Sequence, residues 1–118
     1  MNEELKTIFG TEITVGTAQI PTAHIRYFGK SKTFVVWTII SDTIALVADD
    51  EDVASVVSLD VDVYTDGNYT QIVNTVKKLM KQNDWIWTED SPEMYEEDTG
   101  LYHITCNFEK GRSILWQE

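Results

Sequence analysis

The chain is poor in several things that would narrow its function quickly. One cysteine, Cys106, stands in 118 residues, so no disulfide can form within the chain. It lies in an apolar, strand-like run, where a thiol packs as a small hydrophobe. Basic residues are also scarce. Nine Lys and Arg against twenty Asp and Glu give a formal net charge of -11 and a pI near 4.4. Binding of nucleic acid through phosphate neutralisation needs the opposite sign, and an anionic lipid surface would repel such a chain. No stretch approaches the roughly 18 apolar residues of a membrane span. The start, Met1-Asn2-Glu3-Glu4, lacks the basic region of a secretory leader. Together these absences predict a protein that stays in the cytosol of the cell that makes it. They leave protein contact, or a passage through which DNA slides without sticking.

Catalytic signatures are missing as well. There is no Gly-x-Ser-x-Gly elbow and no glycine-rich phosphate loop, and only His24 and His103 could serve as a base. No catalytic residue and no cofactor are therefore expected. The series Asp60, Asp62, Asp66-Gly67 superficially suggests a calcium loop. Counted from Asp60, however, Tyr64, Thr65 and Gln71 occupy positions that require an oxygen ligand, a glycine and a glutamate. The acidic clusters Asp49-Asp50-Glu51-Asp52 and Glu96-Glu97-Asp98 have no His or Cys partner at ligand spacing, so no metal is expected either. Acidic loops of this kind read as solvated or as charge-complementary docking surfaces.

What is present is the material of one compact domain. Hydrophobic residues at 42% and charged residues at 25% are ordinary for a globular chain, and this length suits a single core. Residues 1–10 predict an N-terminal helix with Leu5, Ile8 and Phe9 on one side, Asn2 as its cap and Gly10 as its stop. The stretch carrying Gly16, Pro21 and Gly29 reads as an irregular arm with one or two short strands. Thr33 to Ile40 is a continuous β-branched and aromatic run, as in a strand covered on both faces, which Ser41-Asp42-Thr43 would break. Ile44 to Val47 could resume it.

The clearest strand covers 53–64, where Val57, Leu59, Val61 and Val63 alternate with Ser58, Asp60, Asp62 and Tyr64. After the turn Asp66-Gly67-Asn68, the spacing of Tyr69, Ile72, Val73, Val76, Leu79 and Met80 predicts the main helix over 69–82. Asn68 and Gln71 resemble a capping box at its start, and Lys77, Lys78 and Lys81 suit the negative end of the helix dipole. Trp85-Ile86-Trp87-Thr88 reads as a strand with both tryptophans on one face, and Ser91-Pro92-Glu93 as a break. Leu101 to Phe108 forms a second alternating strand, with Tyr102, Ile104, Cys106 and Phe108 opposite His103, Thr105 and Asn107. A C-terminal tail, 111–118, is apolar enough to dock through Trp116. This order predicts an α+β fold, a single domain over 1–118 with an antiparallel or mixed β-sheet flanked by helices.

Four tryptophans and five tyrosines are a heavy aromatic load for so short a chain, and such rings concentrate at protein interfaces. Trp116 is the best placed of them for a subunit contact.

At Phe34-Val35-Val36-Trp37, at the strand Val57 to Tyr64 running on through Thr65-Asp66-Gly67-Asn68-Tyr69, at Lys77-Lys78-Leu79-Met80, and at Tyr95-Glu96-Glu97-Asp98-Thr99-Gly100-Leu101-Tyr102-His103 leading to Phe108, the chain resembles the tail terminator, or tail completion, family of long-tailed bacteriophages. The likeness runs from about residue 20 to about residue 112 and consists of strand and helix patterns. It implies a non-enzymatic virion subunit, assembled in the host cytoplasm. Copies would form a ring, typically a hexamer, on the head-proximal end of the tail tube, ending tube growth and presenting a head-joining surface. The implied partners are the chain itself, the tail tube protein and the head-tail connector, with DNA only as passing cargo and no membrane. The residues expected to line the passage or dock a neighbour are Asp49, Asp50, Glu51, Asp52, Asp60, Asp62 and Trp116. A head-tail connector or neck protein, an acidic inhibitor that mimics DNA charge, and a small metal-dependent phosphoesterase are the competing readings.

Overall fold

A computed structural model describes residues 1–45 and 54–113. Its elements are α1 (Asn2–Phe9), β1 (Glu12–Val15), β2 (Ala18–His24), β3 (Thr33–Ala45), β4 (Ala54–Thr65), α2 (Thr70–Gln82), β5 (Ile86–Asp90), β6 (Met94–Glu96) and β7 (Leu101–Ser113). The strands form one seven-stranded mixed sheet in the order β1-β2-β3-β4-β7-β5, with β6 paired to β7. The α+β architecture is the one expected from the order of the sequence patterns.

The alternation in β4 sets the two faces. Val57, Leu59, Val61 and Val63 are fully buried, while Ser58, Asp60, Asp62 and Tyr64 stay partly open on the other side. In β7, paired with β4, Ile104, Cys106 and Phe108 extend the same apolar face. The helices cover that face. Leu5 and Phe9 of α1 and Ile72, Val73, Val76 and Met80 of α2 join Val35, Trp37 and Trp85 in one core. Each such side chain contributes roughly 1.5–3 kcal/mol by leaving water, so the amphipathic stripe of α2 is a main source of stability.

Several local details differ from the sequence expectation, each because hydrogen bonding or pairing overrides local preference. Asn2 lies inside α1 and does not cap it, since the Leu5 N–H reaches back to the Met1 carbonyl at 3.0 Å and draws the helix start one residue earlier. At α2 the N-cap position is Tyr69 and no side chain caps the helix; Asn68 stands one residue earlier, and its Oδ1 accepts the Thr70 N–H at 2.8 Å in the turn that leads into it. The Gln71 side chain lies over Gly16, where an added Cβ would meet its Nε2 at 3.1 Å. Gly16, at φ 62°, makes the turn between β1 and β2, so the expected irregular arm is a hairpin.

Ser41-Asp42-Thr43 does not break β3. The strand runs on to Ala45 against β4, absorbing an irregularity in register between Ile39 and Ser41. Similarly β7 continues past Phe108 to Ser113, so the start of the expected tail at 111–113 is strand. The distal halves of β3, β4 and β7 thereby extend past the helical layer, and the described residues span 51 Å along the long axis. Ile44, opposite Ser55 on the face that elsewhere forms the core, is exposed there. The expected resumption of strand at Ile44 is part of β3, whereas Val47 lies outside the described residues.

Among the described residues one strand pair is parallel, joining β2 to β3 through Thr22↔Val35, Ala23↔Val36 and His24↔Trp37. This overlap is short enough for the link 25–32 to return the chain without a crossover helix.

Candidate functional site

Because β3, β4 and β7 alternate strictly across most of their length, the polar positions of all three strands gather on the face the helices leave open. They form transverse rows. The first is aromatic: Phe34, Tyr64 and His103 are successive cross-strand neighbours, with ring centroids 4.7 Å and 4.1 Å apart, and Tyr27 stacks on Phe34 at 4.3 Å. Offset stacking of this kind adds roughly 0.5–1.5 kcal/mol per pair beyond burial. The second row places Val36, Asp62 and Thr105 side by side, and the third Thr38, Asp60 and Asn107.

Asp60 and Asp62 therefore lie on one face, as the alternation required, but in different settings. Asp62 Oδ1 accepts from Thr105 Oγ1 at 2.5 Å and contacts His103 Nε2 at 2.8 Å. Its carboxylate thus ties β4 to β7. The other imidazole nitrogen, Nδ1, stands 3.9 Å from Glu96 of β6. Asp60 receives the Asn107 amide at 3.0 Å, and the same Nδ2 reaches Ser58 Oγ at 3.0 Å. Thr88 of β5 donates in turn to Asn107 Oδ1, so Asn107 joins three strands.

Around Asn107 the sheet surface is concave. A groove of about 470 Å³ is lined by Ser58, Asp60, Asn107, Glu89 and Glu109 with Ile40 at its rim, Ser91 and Thr105 completing it. Among the described residues its lining holds three carboxylates and no cation, which makes the groove negative. Glu89, Glu109 and Ile40 were missed by sequence reasoning. The signal for Glu109 was available in the parity of β7, which continues His103, Thr105, Asn107 to the next open-face position. Glu89 and Ile40 carried no such signal, because both sit beside register irregularities.

Asp49, Asp50, Glu51, Asp52 and Trp116 lie outside the described residues. Among the described residues, no group of three or more His, Cys, Asp or Glu side chains is placed to hold a metal ion.

Electrostatics follow the geometry. Burial first, then the charges of Asp62 and Glu96, push the Tyr64 hydroxyl from 10.0 up to about 12. The folded state thus holds this proton more tightly than the unfolded chain. Its contribution is complete below pH 10 and is lost as pH rises through about 12. In an alkaline titration followed by circular dichroism, unfolding is expected to begin in that window, and Tyr64→Phe is expected to move the onset upward; an unmoved onset would locate the alkaline transition elsewhere.

On the helical side, burial works to raise the Asp90 carboxyl. Hydrogen bonds from Lys77, Trp87 and Cys106, with the Lys77 charge, outweigh it and hold the group below the usual carboxylate range. Lys77 Nζ reaches Asp90 at 2.7 Å and lies 4.2 Å from the centre of the Trp87 ring. Trp85 is buried and donates its indole N–H to Glu4 at 3.1 Å. Both tryptophans of the expected strand thus turn to the helical layer. Burial, followed by the nearby Asp90 carboxylate, pushes the Cys106 thiol up to about 12, which leaves it packed and unreactive.

Taken as a unit, the site is a sheet face graded from an aromatic row to an acidic groove, on a domain whose strands outrun their helices. The fold is shared with a chain of a virion. That chain belongs to the virion of a native gene transfer agent particle; the two align over 92% of this protein and 83% of the other, with a TM-score of 0.54 and 14% identity. No protein family matches the chain, and no curated protein matches it in sequence.

Proposed function

We propose that this protein is a structural virion subunit that caps the head-proximal end of a phage or phage-like tail tube as a ring, ends tube polymerisation and presents a surface for joining the head. The observation that carries this reading is the fold held in common with a gene transfer agent virion chain over nearly the whole domain. The resemblance of the sequence patterns to tail terminators supports the finer role. The charge distribution agrees with it in physical terms.

A ring around the path of DNA works best when its lumen repels phosphate, because each phosphate contact would add a salt-dependent hold on the passing duplex. The open sheet face, with Asp60, Asp62, Glu89 and Glu109, provides such a surface. Asp49, Asp50, Glu51 and Asp52, which lie between β3 and β4 in sequence, are assigned the same lumen or docking role, and Trp116 a subunit contact.

The test is electron microscopy of the protein mixed with purified tail tubes and, separately, with filled heads. The expected result is added density at one end of the tube. Binding to heads with bare tube ends would transfer the protein to the connector or neck. Capture of a basic nuclease by a monomer, with neither particle bound, would favour the inhibitor. The groove is tested by Asp60→Lys, Glu89→Lys and Glu109→Lys together. We expect native circular dichroism but at least a tenfold loss of capping or of DNA delivery; unchanged values in both assays would exclude a lumen or docking role for the groove.

A further inference from the structure

Among the described residues, two of the open stretches of strand edge match. On one side, β2 accompanies β3 only as far as Trp37. The Ile25 N–H donates to the Trp37 carbonyl at 2.9 Å, and Ile25, at φ 70°, then turns the chain off the sheet. Beyond it, the outer side of β3 from Thr38 to Ala45 has no neighbouring strand among the described residues, and residues 40–44 are all exposed. On the far side, β5 ends the strand order, so its outer side also has no neighbouring strand, and residues 86–89 are exposed.

Both edges carry large apolar side chains in water. Ile40 is 52% and Ile44 74% exposed on β3; Ile86 is 69% and Trp87 48% exposed on β5. Neither stretch contains a Pro or Lys, the residues that most often guard an edge against pairing.

Register puts the edges at one height. Ile86 pairs with Glu109, Glu109 with Ser58, and Ser58 with Ser41. Likewise Asp90 pairs with Cys106, Cys106 with Val61, and Val61 with Trp37. So β5 lies level with the stretch from Trp37 to Ser41, beside the open part of β3. Three antiparallel steps separate the two strands, so they run in opposite directions. A rotation about an axis along the strands would bring β5 of one copy beside β3 of the next, antiparallel and with little slide, setting Ile86 near Ile40. A contact joining two different edges, without axial slide, is head-to-tail and closes on itself; with slide it would wind into a filament.

From this we infer that copies of this chain associate by continuing the sheet, the distal edge of β3 in one subunit pairing with β5 of its neighbour. The inference rests on the ring reading above and specifies its subunit contact. The occupant is a second copy because the same molecule supplies both halves, matched in height, polarity and apolar character.

The test is thiol cross-linking of the full chain with a short bifunctional maleimide, which the buried Cys106 does not disturb. Ile40→Cys and Ile86→Cys chains are examined singly and mixed. A covalent dimer formed at least fivefold more in the mixture than in either single variant is the expected result. Equal yields, or none at high protein concentration, would overturn the inference. The double variant I40C/I86C separates it from the ring: a ladder ending in one closed species supports both, whereas a ladder growing without end keeps the edge contact and removes the ring. As a second measure, Ile40→Lys and Ile86→Lys, at exposed positions that leave the core intact, are expected to abolish self-association separately; rings surviving both substitutions would refute the edge contact while sparing the ring.

Discussion

Trp37→Ala is expected to cost about 3–5 kcal/mol of unfolding free energy, the range for deleting a large buried aromatic. The indole is 2% exposed, stacks on Phe9 of α1 with centroids 5.9 Å apart and lies against the His24 ring at 3.9 Å. It therefore joins the central strand to the N-terminal helix and to the last residue of β2. Its loss leaves a cavity that neither neighbour can fill without abandoning its own packing. At roughly 4 °C per kcal/mol for a domain of this size, the melting temperature should fall by about 12–20 °C. Thermal unfolding followed by circular dichroism checks this; a fall below about 4 °C would mean that α1 is not anchored through this ring. Trp37→Phe, which keeps an aromatic ring on both faces, should recover more than half of the loss.

A similar magnitude, by a different route, is expected at Trp85. Its ring is 2% exposed beyond the end of α2, where its N–H bonds Glu4 at 3.1 Å. Lys110 of β7 pairs with the same Glu4 oxygen at 2.8 Å, donates to the Asn83 carbonyl at 3.0 Å and lies 5.8 Å from the Trp85 ring. One tryptophan thus joins the first helix, the end of the second and the final strand. Trp85→Ala should cost about 3–5 kcal/mol through lost volume. Trp85→Phe keeps most of the volume and loses chiefly the hydrogen bond to a charged acceptor, so about 1.5–3 kcal/mol is expected. Urea denaturation separates the two. If the phenylalanine variant were as unstable as the alanine variant, the Glu4 bond, rather than the packing, would hold this corner together.

Strand β4 and helix α2 were legible in the sequence because each repeats its pattern long enough for period 2 or 3.6 to stand clear of noise. The polar parity of Asp60, Asp62, His103, Thr105 and Asn107 followed from the same alternation. The extension of β3 through Ser41-Asp42-Thr43 was not legible. Those residues favour turns locally, and only pairing with Val56, Val57 and Ser58 holds them extended. Asn2 misled for a related reason, since capping preference is weaker than one further intrahelical hydrogen bond.

By itself, then, the sequence determined which residues of β4 and α2 face inward and the sign of the net charge, because these depend on residue type and local period. Tertiary structure alone decided that Glu89 and Glu109 join Asp60 around Asn107, that His103 stands between Asp62 and Glu96, and that β3 and β5 expose edges at one height. Those facts depend on which strand lies beside which and in what register. Such pairings are long-range and are selected by the packing of the whole sheet, so no local stretch of chain encodes them.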